Sequence, residues 1–167
     1  HECSSAASDV YKRQILNECL KAHEILKQFD ITSEVWSVTS FNMLRKDGME
    51  IENVNLKNPS QTPKASYVEQ SFAHENIPAV AATDYMRAYA EQIRPFVKGT
   101  YFTLGTDGFG RSDSRKKLRE YFEVDANNIA ATAAYALLQD QTIDKKQVGK
   151  IYEKLGINKD KSSPWVQ

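Results

Sequence analysis

Apolar residues first recur at helical spacing from Ile15, where Ile15, Cys19, Ala22, Leu26 and Phe29 fall on one face with Leu16 and Leu20 alongside. Residues 1–14 show no such periodicity and read as a loose leader. Val35–Thr39 alternates as a strand does, and Ser40 is placed to cap a short helix over Phe41–Arg45. Residues 46–64 mix Gly48, Pro59 and Pro63 with many Asn and Lys, which predicts a mostly irregular connection with at most one helical turn. A short helix is expected over Tyr67–Ala73. Ala79–Ala82 is an uninterrupted run of small apolar residues, the pattern of a strand covered on both faces. Thr83 or Asp84 would cap the next helix, with Met86, Ala90 and Ile93 sharing a face and Pro95 ending or kinking it.

Tyr101–Leu104 is a second strand. It runs into a loop carrying Gly105, Gly108 and Gly110, and the Ser112-Asp113 pair opens a helix over Ser114–Phe122. Asp125 caps a helix through Ile129, Ala133, Ala136 and Leu137. Asp144 and Gln147 form a capping-box pair for the last helix, over Val148, Ile151, Tyr152 and Leu155, which Gly156 closes. Strands alternating with helices predict an α/β fold: a three-layer α/β/α sandwich around a mostly parallel sheet.

The stretch Gly105–Asp113 carries the densest candidate chemistry. A strand, a glycine-rich turn and a helix start point backbone N–H groups at whatever lies above the sheet, as phosphate cradles do. Its spacing, G-T-D-G-F-G, is neither G-x-G-x-x-G nor the P-loop pattern. Two readings stay open. In one, Gly105, Gly108 and Gly110 supply turn geometry, Asp107, Ser112 and Asp113 satisfy backbone groups, and Phe109 and Arg111 belong to the same structural loop. In the other, the loop from Gly105 to Ser112 holds a small anion or nucleotide, with Arg111 and Arg115 as its cations, in a stand-alone regulatory or binding module.

Composition narrows the class. The 167 residues fit one domain, and 41% hydrophobic with 26% charged content is ordinary for a globular protein. Lys plus Arg and Asp plus Glu both total 22, so the formal charge is zero and neither nucleic acid nor an anionic membrane is expected as a partner. Cys3 lies in the polar leader and Cys19 on an apolar helix face, an arrangement that favours free thiols and a reducing cytoplasm.

No catalytic constellation is complete. His23 and His74 stand about fifty residues apart with no acidic or cysteine companion at ligand spacing, and no G-x-S-x-G elbow occurs. Asp107-Gly108 with Asn127-Asn128 faintly resembles the Gly-Asp-Gly…Asn-Asn motif that holds magnesium and thiamine diphosphate. Thr106 stands where that motif has glycine and the spacing is too short, so the reading is rejected.

The stretches Ser33–Phe41, Ala81–Pro95 (A-A-T-D-Y-M-R-A-Y-A-E-Q-I-R-P), Leu104–Arg115 (L-G-T-D-G-F-G-R-S-D-S-R) and Tyr121–Ala126 closely resemble the C-terminal domain of the homodimeric pyruvate dehydrogenases. These are the thiamine-dependent first components of bacterial pyruvate dehydrogenase complexes. The likeness runs from Ile15 to the terminus, and its shorter G-x-D-x-F-G-x-S element is shared with transketolases. It implies a transketolase C-terminal-like fold with a five-stranded mixed sheet. It also implies that thiamine diphosphate, magnesium and the catalytic histidines belong to other domains, so no catalytic, cofactor or metal residue carries over to this chain. The implied role is assembly, with the rest of the parent enzyme, its homodimer mate and the lipoyl acetyltransferase component as partners. The family has two further strands upstream of the Ile15 helix, which residues 1–14 do not match. Those residues are expected to be leader or junction sequence, with residues 15–167 as the domain truncated at its N-terminal side.

Overall fold

A computed structural model describes residues 14–72, 77–108, 112–158 and 160–161, with the side chains of Gln14, Arg115 and Lys116 outside the description. Two strands, β1 (Ala79–Ala82) and β2 (Tyr101–Leu104), pair in parallel, with Ala79 opposite Tyr101 and Ala82 opposite Leu104. Helices α1 (Gln14–Lys27), α2 (Phe41–Lys57) and α3 (Tyr67–Ser71) precede them. Between the strands lie α4 (Arg87–Glu91) and a 3₁₀ turn at Arg94–Phe96. Helices α5 (Arg115–Phe122), α6 (Ala126–Gln139) and α7 (Lys145–Leu155) follow. A parallel pair needs such a crossover, and β1–α4–β2 supplies it.

Strand alternation sorts the molecule into layers. Val80, Ala82 and Leu104 point into a core with Ile15, Cys19, Ala22 and Leu26 of α1, Phe122 of α5, and Ala126, Ile129 and Ala130 of α6. Ala79, Ala81 and Tyr101 point the other way, into a core with Phe41 of α2, Val68 of α3, and Ala90, Ile93 and Phe96. The result is the expected α/β/α arrangement around a parallel pair. The described residues contain only these two strands of the five that the resemblance implies.

Several expectations change. The helix after Ser40 does not stop at Arg45 but continues to Lys57, through the stretch read as irregular. Gly48 survives inside it because the Phe96 ring packs where a Cβ would stand. Asn55 and Asn58 serve its end instead of breaking it: Asn55 Nδ2 donates to Lys64 O (2.9 Å), and Asn58 Nδ2 donates to Val54 O (2.8 Å). Val35–Thr39 is not a strand; only Ser37 makes an isolated bridge, and Trp36 instead stacks on Phe72 at 5.6 Å. Leu20 is exposed rather than alongside the core, and Glu18 is buried in its place.

The cap signals read at Ser40, Asp125, Asp144 and Gly156 hold. Asp125 accepts from Asn128 N, and Asp144 and Gln147 complete their capping box before Gly156 closes α7 in the left-handed region, at φ 65°. The third helix ends at Ser71 rather than Ala73, and a Ser66–Glu69 capping box opens it.

Candidate functional site

At the C-terminal end of β1 and β2 the two strand-to-helix loops meet, the place where open α/β sheets usually hold ligands. Here the loops grip each other. Thr106 donates its backbone N–H to Tyr85 O (2.9 Å) and its hydroxyl to Asp84 O (2.9 Å). Thr83 N–H donates to Leu104 O (2.9 Å), and Tyr85 N–H donates to Thr83 Oγ1 (3.1 Å). Asp107 reaches across: its Oδ2 accepts from the Arg87 backbone N–H at 3.2 Å and pairs with Arg87 Nε at 3.3 Å.

The glycines fit this closure. A Cβ on Gly105 would stand 2.6 Å from Tyr85 O and 2.7 Å from Arg87 N, contacts that no backbone shift relieves cheaply. Gly108 has φ 129°, a conformation that side chains rarely adopt. Asp107 thereby caps α4 from twenty residues away, a task expected of Thr83 or Asp84. The N-cap residue itself is Met86, which has extended backbone, makes no side-chain cap bond and is exposed rather than on the buried face with Ala90 and Ile93.

Past the loop, Ser114 caps α5 by accepting from Lys117 N–H, while Asp113 Oδ1 accepts from Ser114 N–H (2.7 Å). The helix proper thus starts at Arg115, one residue beyond Ser114, and Ser112 is exposed. Phe109, Gly110 and Arg111, part of the anion reading, lie outside the described residues, as do Cys3 and His74. His23 is partly buried and its Nδ1 pairs with Ser33 Oγ at 2.9 Å.

A second cluster carries more charge and was hidden from sequence reasoning. Glu18 of α1 accepts from Lys21 Nζ (2.9 Å), Arg119 Nη1 of α5 (3.1 Å) and the Ala126 N–H that starts α6 (3.1 Å). Burial pushes its carboxyl up, but those hydrogen bonds and the Lys21 and Arg119 charges outweigh it and hold the group below its ordinary value. Lys21 at i+3 was its only visible partner in the sequence; the others lie about a hundred residues on. The neighbouring Cys19 thiol is pushed up to about 12 by burial, reinforced by the Glu18 and Asp84 charges, which keeps it protonated and unreactive.

Among the described residues no group of three or more His, Cys, Asp or Glu is arranged around a metal position. Asn127 Nδ2 donates to Leu155 O and Asn128 Nδ2 to Asp125 Oδ2, so both asparagines serve helix ends. Asp107 is spent on α4.

The family model for the transketolase-like TK C-terminal domain matches residues 14–125. The chain belongs to that family. It is 48% identical over 152 residues to the pyruvate dehydrogenase E1 component of Pseudomonas aeruginosa, covering 90% of this chain and 17% of that protein. The Escherichia coli K12 protein of the same name is 45% identical over 152 residues, with the same two coverages. The one from Buchnera aphidicola of Acyrthosiphon pisum is 42% identical over 166 residues, 98% of this chain and 18% of its own length. The chain therefore spans about one sixth of the curated relatives that it matches. In a transketolase C-terminal-like domain, the closed loop pair and the Glu18 cluster read as internal fastenings: one joins the two strand-to-helix loops, the other joins α1, α5 and α6.

Proposed function

We propose that this chain is the C-terminal assembly domain of a pyruvate dehydrogenase first component, a cytoplasmic enzyme that decarboxylates pyruvate and passes the acetyl unit to a lipoyl carrier. The observation that carries this reading is the 48% identity over 90% of the chain to a protein named for that activity. The strand-end loops support an assembly role, because Thr106 and Asp107 are engaged with Asp84, Tyr85 and Arg87 of the facing loop.

In the whole enzyme, thiamine diphosphate with magnesium would supply the ylid that attacks the oxo carbon. The residues of this chain would act at a distance from it. Asp107 and Thr106 fix the β1–α4 loop, Glu18 fixes α6 against α1 and α5, and the resulting rigid block sits against the remaining domains, the homodimer mate and the acetyltransferase component.

Deleting residues 15–167 from the full-length parent tests the reading. Sedimentation should shift from dimer to smaller species, and pyruvate decarboxylation in the presence of thiamine diphosphate and magnesium should be lost. A truncated parent that keeps both its dimeric mass and its rate would contradict the assembly role.

A further inference from the structure

Lys161 lies beyond the last helix, yet three groups at the end of α5 engage its ammonium. Its Nζ donates to Glu120 O (2.6 Å) and to Tyr121 O (2.9 Å), and pairs with Glu123 Oε1 at 3.4 Å. It also stands 5.9 Å from the centre of the Tyr121 ring. We propose that Lys161 makes the segment leaving α7 at Gly156 a charge-held strap across the end of α5. The strap opens when the ammonium or its counter-charge is lost, and it then bares Tyr121 at the rim of the core that α1, α5 and α6 share.

The end of α5 calls for a cation. The last carbonyls of a helix have no partners within it, and its dipole favours positive charge there. Arg119, the basic residue of the last turn, is committed to Glu18, and Lys161 arrives from 40 residues beyond Tyr121 to take the carbonyls. Glu123 fits the same device. It closes α5 in the left-handed region at φ 59°, where glycine or asparagine is the usual choice. A glycine there would be less strained and would leave Lys161 without its counter-charge.

The hold is local and reversible. Beyond Gly156, Ile157 N–H donates to Tyr152 O (3.1 Å) and Asp160 N–H to Asn158 Oδ1 (3.0 Å), bonds that stay within α7 and the segment itself. Lys161 makes the bonds that cross to α5. Its side chain and that of Glu123 keep 25% and 30% of their surface exposed, so dissolved salt reaches the pair.

Trypsin reads the strap directly. It cuts after a lysine only when that side chain enters its specificity pocket, which a side chain held on α5 cannot do. Initial rates of cutting after Lys161 in the 167-residue chain, followed by mass spectrometry and divided by the rate for a short lysyl peptide in the same tube, measure the open fraction. Glu123→Gln should raise that ratio about fivefold, the upper end for a part-exposed ion pair. In the unaltered chain the ratio should climb between about 20 and about 300 mM KCl as the pair is screened, and in the variant it should climb less. Cutting of the variant at the unaltered rate would overturn the proposal, as would a ratio in the unaltered chain that salt does not move. The variant's melting temperature should fall by no more than about 4 °C. A larger drop would make Glu123 a support of the whole fold and would equally overturn a local strap.

Discussion

The two faces of the β1–β2 pair are covered in different ways. On one side, α6 runs for 14 residues and presents Ala126, Ile129 and Ala130 to the core, side chains that need no polar partner. On the other, α4 has only five residues before a 3₁₀ turn, and polar bonds hold it down. Tyr101 Oη donates to Ala90 O at 2.8 Å, Arg94 Nη1 donates to Tyr101 O at 2.9 Å, and Thr103 donates to Glu91. A long helix of small residues meets the strands by close packing, with polar bonds to Glu18 and Thr100 only at its two ends. A short one must be stitched to its strand, and the stitching lies next to the loops that Asp107 closes.

This contrast can be broken from either side. On the α6 face, Ala130 is fully buried, and Ala130→Leu should cost about 3 kcal/mol through overpacking, read as a drop in the denaturation midpoint. On the α4 face, Tyr101→Phe keeps the ring and removes one donor, leaving Ala90 O buried without it; a loss of about 1–2 kcal/mol is expected. If Tyr101→Phe cost nothing, the polar stitching would be incidental and the two faces would be alike.

The smallest effect per group is on acid stability. Hydrogen bonds from Arg94 lead the causes that hold Glu91 below its ordinary value of 4.5, against burial and with help from Thr103. The Ser66 N–H does the same for Glu69, which opens α3 on the same face. A carboxyl with a depressed folded pKa favours the unfolded chain when it takes up a proton. Its contribution is therefore complete above about pH 4.5 and is lost as pH falls through the lower folded value. Urea midpoints should be level from about pH 7 to 5 and fall below that, and Glu91→Gln should flatten part of the fall. An unaltered slope in that variant would remove Glu91 from the account.

What the sequence revealed follows the range of the signals. Both strands, the Asp125 cap, the Asp144–Gln147 box and the Gly156 terminus are written within a few residues of where they act, and they were legible. The length of α2 was not, because Gly48 reads as a breaker until Phe96, far along the chain, is seen to fill its place. Val35–Thr39 has strand composition, yet strand formation depends on a neighbour that local pattern does not reveal. At the candidate site, Gly105, Gly108 and Asp107 stood out in the sequence, but their partners Tyr85 and Arg87 were beyond spacing arguments. Glu18 was missed for the same reason: a carboxylate on an amphipathic helix looks solvated until Arg119 and Ala126 arrive.

The central proposal is that the glycine loop, through Thr106 and Asp107, fastens the domain to itself and does not serve a ligand. Calorimetric titration of the 167-residue chain with thiamine diphosphate plus magnesium, and separately with inorganic pyrophosphate, tests it most directly. The account predicts heats no larger than dilution in both. Saturable binding at micromolar concentration that disappears in Asp107→Ala would contradict it.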